Sequence, residues 1–172
     1  MKLLVLFLLS GWTIAAAAQP KTDWEQAQEE RDWKESEVKL PAWPRDESMV
    51  EFVVSGATSF RFFIDSASLS VGEDGVVRYT LLARSPAGVS NLSYEGIRCA
   101  TGIFKIFAFG NDGRWSPQRS EWKPIGYQTA QRWHSVLRSH FFCPLRQPIQ
   151  TAAEGLDALR QGFHPALRNL LR

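Results

Sequence analysis

Histidine is the side chain best suited to acid–base catalysis near neutral pH, and this chain has three of them. All lie in its last third: His134, His140 and His164. His134 is the candidate base, because Asp65 or Glu95 could orient its ring in the folded chain. The interpretation that we favour is different: His134 is a partly exposed helix residue beside Trp133, which belongs to the core.

The sequence contains none of the common catalytic motifs. It has no G-x-S-x-G nucleophile elbow, no H-E-x-x-H zinc motif, no phosphate-binding glycine loop and no dinucleotide fingerprint. We therefore expect no cofactor and no metal, and the sequence leans away from an enzyme. The alternative is a periplasmic hydrolase that acts on envelope material with His134 as acid and base.

A second group of residues fits recognition better than catalysis. Charged and hydroxyl side chains stand among aromatic residues in the middle of the chain. The candidate binding residues are Arg61, Tyr79, Glu95, Arg98, Arg114 and Trp115. Arginine beside aromatic rings can bind a carboxylate, a phosphate or a glycan through paired hydrogen bonds and stacking. The same pattern is typical of the outer face of any β-sheet, where arginine stems cover apolar surface.

Arg98 is the residue of this group that we expect to matter most, because it precedes Cys99 on a predicted strand. We expect Arg98→Ala to abolish partner binding and to leave the fold intact, since a surface arginine usually changes stability by only about 0.5 kcal/mol. We expect His134→Ala to do little to either property.

The first 18 residues are typical of a cleavable secretory signal. They combine Lys2, an apolar run and a small-residue cleavage site that leaves Gln19 as the new N-terminus. The sequence therefore predicts a periplasmic protein. Outside the reducing cytosol, two cysteines in a small domain are most simply paired, so Cys99 and Cys143 predict a disulfide.

Three regions follow the signal. Residues 19–48 form a charged segment and extended linker, with a marginal helix over 22–38 and two prolines that favour an extended chain over 40–46. Residues 49–172 form a single globular domain. Its β region, 49–115, predicts five or six short antiparallel strands curled into a sandwich or partial barrel.

The helical region, 128–172, changes to helical periodicity. Its first helix should bury one face and end at Pro144: Ala130, Trp133, Leu137 and Phe141. A second helix should break near Gly162 and Pro165. The predicted fold class is α+β, an antiparallel sheet with C-terminal helices packed on it.

Several stretches resemble the CNP-one-like family of exported proteobacterial proteins of unknown function. They run from Leu40 to Gly162 and include "FRFFIDSASLSV", "YEGIRC", "EWKPI", "QRWHSVLRSHFFCP" and "AAEGLDALRQG". The resemblance implies an exported single-domain protein. It implies no reaction and no catalytic residues.

Two functions follow from these observations. The first, which we favour, is a non-enzymatic binding or interaction module of the cell envelope, whose partner is an envelope protein, a glycan or a small anionic ligand. A net charge of +2 over 172 residues is too small to indicate a nucleic-acid-binding protein. The second is the hydrolase. A cavity that joins His134 to Asp65 or Glu95 would favour the hydrolase, and a flat surface of arginines and aromatic rings would favour the binding module.

Overall fold

The structure is a computed structural model that describes residues 22–55, 57–126 and 132–170. The predicted signal, Gln19 and Ala130 lie outside the described residues. The chain divides into two compact units, residues 1–34 and 35–172. In the first unit the structure describes one helix, α1 (Asp23–Asp32), which is shorter than predicted. No helix within the described ranges is long and apolar enough to cross a membrane.

The second unit is built on one open antiparallel sheet. Its described strands are β1 (Met49–Phe52), β2 (Arg61–Asp65), β3 (Ser70–Val71), β4 (Val76–Arg84), β5 (Ser90–Arg98), β6 (Ile103–Asn111), β7 (Arg114–Pro117) and β8 (Lys123–Pro124). The sheet order is β1-β2-β4-β5-β6-β7, with β3 paired to β4 and β8 paired to β6. The described strands number eight and exceed the predicted five or six, because β3 and β8 are two-residue pieces without a sequence pattern.

The predicted hairpin turn between β6 and β7 is confirmed. Asp112 and Gly113 both adopt positive φ angles, 48° and 76°. Such a two-residue turn matches the right-handed twist of the flanking strands, and glycine adopts it without a steric penalty.

The helical region follows the sheet, so the predicted α+β class is confirmed. It contains α2 (Arg132–Val136), a π-helical turn (Leu137–Phe142), a 3₁₀ turn (Pro144–Arg146), α3 (Ala152–Gln161) and a second 3₁₀ segment (Pro165–Leu170). The first predicted helix is shorter and widens into the π-helical turn, which buries Phe141 and Phe142 together. Gly162, with φ 82°, ends α3 as predicted.

Because side chains alternate along a strand, the sheet has two distinct faces. We call the face under the helical region the helix face. Its core side chains include Phe62, Ile64, Tyr79, Leu81, Ile97, Phe104, Leu137, Phe141, Phe142, Ile149 and Leu159. The predicted disulfide between Cys99 and Cys143 is confirmed, with a Cα–Cα distance of 5.4 Å, and it ties the end of β5 to the helical region.

The opposite face, which we call the strap face, is covered by an extended segment, residues 35–44, which we call the strap. Glu35 forms an ion pair with Lys105 at 2.8 Å. The Trp115 indole N–H donates to the backbone oxygen of Pro41 at 2.9 Å, and the Trp43 ring lies 5.4 Å from that of Trp115. The extended conformation that the two prolines predicted is therefore fixed by contacts with the sheet.

Candidate functional site

A β-bulge places the most unusual polar residue of the sheet. Between β5 and β6, Tyr94 pairs with Ala108 and Glu95 pairs with Ile106, so Phe107 is an extra residue on β6. Tyr94, Phe107 and Ala108 pack together on the strap face. Because the bulge takes up Phe107, Ile106 lies opposite Glu95 on the helix face. The Glu95 side chain therefore points under the helical region.

The Glu95 carboxylate is buried, with only 1% of the residue exposed, and accepts three side-chain hydrogen bonds. The Ser93 hydroxyl donates to Oε1 at 2.6 Å. The Tyr79 hydroxyl donates to Oε2 at 3.2 Å, and His134 Nε2 lies 2.8 Å from the same oxygen. We call these four residues the Glu95 cluster.

The cluster controls the ionisation of its members. Burial opposes the charge of Glu95, but the charge of His134 and the hydrogen bonds from His134, Ser93 and Tyr79 outweigh it and lower the pKa of the carboxyl. Burial, together with the charge and hydrogen bond of Glu95, raises the pKa of the Tyr79 phenol well above its ordinary value. The arrangement therefore holds an ionised carboxylate beside a neutral phenol at neutral pH.

The expectation that His134 is partly exposed was wrong. It is only 1% exposed, and its ring stacks on Phe104 with 3.8 Å between centroids. Its Nδ1 atom has no hydrogen-bond partner among the described residues. Of the two carboxylates predicted to reach it, Glu95 does so, whereas Asp65 accepts a hydrogen bond from the backbone of Ala67.

A cavity of about 660 Å³ opens on the helix face beside the cluster. The described residues that line it are Thr58, Phe60, Phe62, Leu81, Ala83, Ser90, Asn91, Leu92, Ser93, Glu95, Ile106, Phe109, Gly110, Asn111 and Trp133. Glu95 is the one ionisable side chain in that described lining. His134 lies behind Glu95 and is not part of the lining.

Aromatic rings form one wall of the cavity and continue to its rim. The rings of Phe60 and Phe62 are 6.4 Å apart with an interplanar angle of 29°, and those of Phe62 and Trp133 are 5.5 Å apart at 34°. Phe60 and Phe109 are 41% and 46% exposed, so the apolar wall reaches the solvent. The Trp133 indole N–H is buried without a partner among the described residues.

The six predicted binding residues do not form one surface. Tyr79 and Glu95 belong to the cluster, whereas Arg61 is exposed and forms two hydrogen bonds with Glu51. Arg114 is exposed at the β6–β7 hairpin, and Trp115 holds the strap. The roles of these residues in binding stay predictions.

Arg98 differs from its expected environment. It is only 6% exposed, so the expectation of a surface arginine was wrong. It pairs across the sheet with Val76, which lies against Gly96 and Phe107 on the strap face. Arg98 is therefore on the opposite side of the sheet from Glu95.

Sequence reasoning missed the polar residues that share the cavity with Glu95. Ser93 stands two residues before Glu95, and the alternation of a strand places both on one face. That signal was available. Thr58 lies in a loop, and the bulge that shifts β6 has no signature in the sequence.

Within the described residues, no group of three or more histidine, cysteine, aspartate or glutamate side chains could hold a metal ion. The Glu95 cluster contains one carboxylate and one histidine, fewer ligands than a protein metal site uses. What the cluster offers is a buried carboxylate held by hydrogen bonds from Ser93, Tyr79 and His134.

Comparison with known proteins agrees with the resemblance seen in the sequence. The model of the CNP1-like family matches residues 28–160. Cryptic neisserial protein 1 of Neisseria gonorrhoeae (strain ATCC 700825 / FA 1090) is 32% identical, in a match that covers 72% of this chain and 73% of that protein. No solved structure matches the chain significantly. From its sequence, this chain belongs to the CNP1-like family.

Proposed function

We propose that this protein is a non-enzymatic binding protein of the cell envelope that takes a small ligand into the cavity on the helix face. The observation that carries the proposal is the combination of aromatic walls with one fixed carboxylate, Glu95. Ligand sites are typically concave, mostly apolar and equipped with a few well-placed polar groups. A volume of about 660 Å³ lies in the range that such sites occupy.

The rigidity of the site supports binding. Glu95 sits on a central strand, and three donors hold its carboxylate before any ligand arrives. The disulfide fixes the end of the same strand to the helical region. A site of this kind does not have to order its polar groups when it binds, which lowers the cost of binding.

The periplasmic location is part of the proposal. It rests on the signal-like first 18 residues and is supported by the disulfide, a bond that persists in oxidising compartments.

A hydrolase is the second candidate, because His134 and Glu95 do lie within hydrogen-bond distance next to a cavity. Two features rank it lower. His134 does not line the cavity, so it does not contact a substrate or a water molecule held there. The lowered pKa of Glu95 also makes that carboxyl a poor proton donor near neutral pH.

The proposal is tested with the uncharged fluorescent probe N-phenyl-1-naphthylamine, which reports entry into an apolar cavity. We expect the purified protein to bind the probe. Asn91→Trp, a substitution in the lining, should abolish binding. Val89→Trp is the matched control, because Val89 is 60% exposed and outside the lining. Equal binding by both variants, or no binding by the unaltered protein, would refute the cavity as the site.

A further inference from the structure

From the chemistry of the lining we propose that the ligand is an uncharged, hydroxyl-rich ring compound of the sugar type, free or as the end of a glycan. This inference rests on the proposed function, since it names the class of ligand that the cavity takes.

Charge excludes one large class of ligands. Glu95 is ionised at neutral pH, and the lining contributes no lysine or arginine within the described residues. An anionic ligand would lose its hydration and find no cationic partner in that lining. The small anionic ligand expected from the arginine-rich sequence is therefore the least suited to this cavity.

Hydrogen bonding disfavours a cationic ligand. The charge of Glu95 already faces His134 at 2.8 Å and the hydroxyls of Ser93 and Tyr79. The amides of Asn91 and Asn111 in the lining carry N–H donors that need acceptors. An ammonium group has donors and no acceptor, whereas a hydroxyl group has both.

The polar residues around the rim have the same dual character. Asn91 and Asn111 carry amides that donate and accept, and Thr58 and Ser90 carry hydroxyls. A carboxylate has about four lone-pair sites, and the described donors to Glu95 use three of them. One more donor, such as a ligand hydroxyl, fits there.

The aromatic wall fits the remaining part of a sugar. A sugar ring presents a face of C–H groups whose hydrogens carry partial positive charge, and the face of an aromatic ring is negative. Phe60, Phe62 and Trp133 form a row of rings with small interplanar angles, 29° and 34° between neighbours. Because Phe60 is exposed, this row can continue along a ligand that extends out of the cavity.

The decisive experiment compares ligands of one shape and different charge by saturation-transfer NMR and calorimetry. The neutral probes are the methyl glycosides of glucose, galactose, mannose and N-acetylglucosamine; glucosamine supplies the positive charge and glucuronate the negative charge. We expect at least one neutral glycoside to bind about tenfold tighter than either charged sugar, because an unmatched buried charge is costly. A charged sugar that binds as tightly as the tightest neutral glycoside would overturn the inference.

A pair of phenylalanine variants tests the aromatic wall. Phe60→Leu keeps an apolar side chain in the lining and removes the exposed ring face, and we expect sugar binding to weaken about threefold to tenfold because the C–H face of the ligand loses its aromatic partner. Phe163→Leu makes the same change outside the lining and should leave the affinity unaltered. Equal affinities for the two variants would contradict the role assigned to the aromatic wall.

The outcomes separate the two proposals. If the fluorescent probe enters the cavity and Asn91→Trp excludes it, but no neutral glycoside binds, then the class of ligand is wrong and the binding function stands. If neither the probe nor a glycoside binds, both proposals fail. An oligosaccharide that binds tighter than its terminal methyl glycoside would identify a glycan, and equal affinity would identify a free sugar.

Discussion

Within the described ranges, each face of the sheet has an ion pair whose side chains are almost fully buried, and these two pairs differ in what surrounds them. On the strap face, Arg78 donates to the Asp74 carboxylate at 3.0 and 2.5 Å, and the strap adds the backbone N–H of Ser36 at 2.9 Å. On the helix face, Glu95 pairs with His134 and borders a cavity. The strap covers one pair, whereas the other borders the cavity through Glu95.

The chemistry of the partners widens the difference. Arginine stays charged at all ordinary pH values, and Arg78 also lies over the Phe107 ring at 5.7 Å. The strap face thus holds a pair with a permanently charged partner under the strap, and the helix face holds a pair that borders the cavity.

The largest expected effect is on the helix face. His134→Ala should lower the free energy of unfolding by about 3–5 kcal/mol, because it leaves the buried Glu95 without its charged partner. Urea unfolding measures the change. His140→Ala is the matched control: His140 is exposed in the same helical region and should change stability by about 0.5 kcal/mol or less. Similar unfolding midpoints for the two variants would show that the Glu95 cluster is not a stabilising unit. The earlier expectation that His134→Ala is harmless is thereby reversed.

Next in size is the disulfide. Replacing Cys99 and Cys143 with serine should cost about 4 kcal/mol on the loop-entropy model, since the bond spans 44 positions. Hydrogen exchange should rise in the helical region first, because the bond ties that region to β5. If the strap and β7 lost protection before the helices did, the helix face would not be the side that depends on the bond.

The third effect is on acid stability. The pKa of Glu95 is lowered in the folded protein, so its contribution to stability is present above the unfolded value, near 4.5, and is lost as pH falls through the folded value. The unaltered protein should therefore lose more stability between pH 7 and about pH 3 than Glu95→Gln does. Glu121→Gln, at an exposed site, should keep the full acid sensitivity. Parallel pH profiles for the protein and Glu95→Gln would contradict the ionised carboxylate.

A smaller effect is expected on the strap face. Trp43→Ala should destabilise the protein by about 1–2 kcal/mol, because it removes the ring that packs on Trp115. Probe binding in the cavity should change little, since Trp43 is not part of the lining. Leu145→Ala, at a side chain that is 63% exposed, is the control for both readouts. Loss of probe binding in Trp43→Ala would mean that the two faces are coupled.

The smallest effect separates exposed pairs from buried pairs. Arg61→Ala removes the ion pair with Glu51, whose side chains are 60% and 46% exposed. Because exposed pairs contribute little, the free energy of unfolding should not change measurably in a thermal or urea melt. A loss near that of His134→Ala would overturn the distinction between the two kinds of pair.

The alternation of β-branched and aromatic residues was sufficient to predict the long strands β4, β5 and β6, and the two cysteines were sufficient for the disulfide. Composition and turns carry such local information. The pairing of Glu95 with His134 is 39 positions long and depends on a bulge and on a short helix that ends in a π-helical turn. No local sequence pattern indicates a contact over such a distance. The sequence could therefore name Asp65 and Glu95 as possible partners of His134, but only the structure shows that the partner is Glu95.

The arginines show a second case in which the sequence context was not sufficient to predict the role of a side chain. Their position beside aromatic residues predicted a recognition surface, but in the structure several arginines of the sheet cover aromatic rings: Arg61 and Arg84 lie over the Phe63 ring, and Arg78 over Phe107. An arginine that stacks on a sheet and one that binds a ligand have the same sequence context. Only the geometry of the neighbouring carboxylates distinguishes them.

The crosslink between Cys99 and Cys143 also decides how the chain carries a mechanical load. When the chain is pulled from its two ends, tension passes through the bond and bypasses the loop between the cysteines, which are 44 positions apart; this loop includes β6, β7, β8 and α2. At roughly 3.5 Å per residue, about 150 Å of contour length stays hidden from the force. Glu95 lies outside this protected loop, whereas His134 lies inside it. Stretching the chain therefore applies force to the segment that carries Glu95 and not to the segment that carries His134.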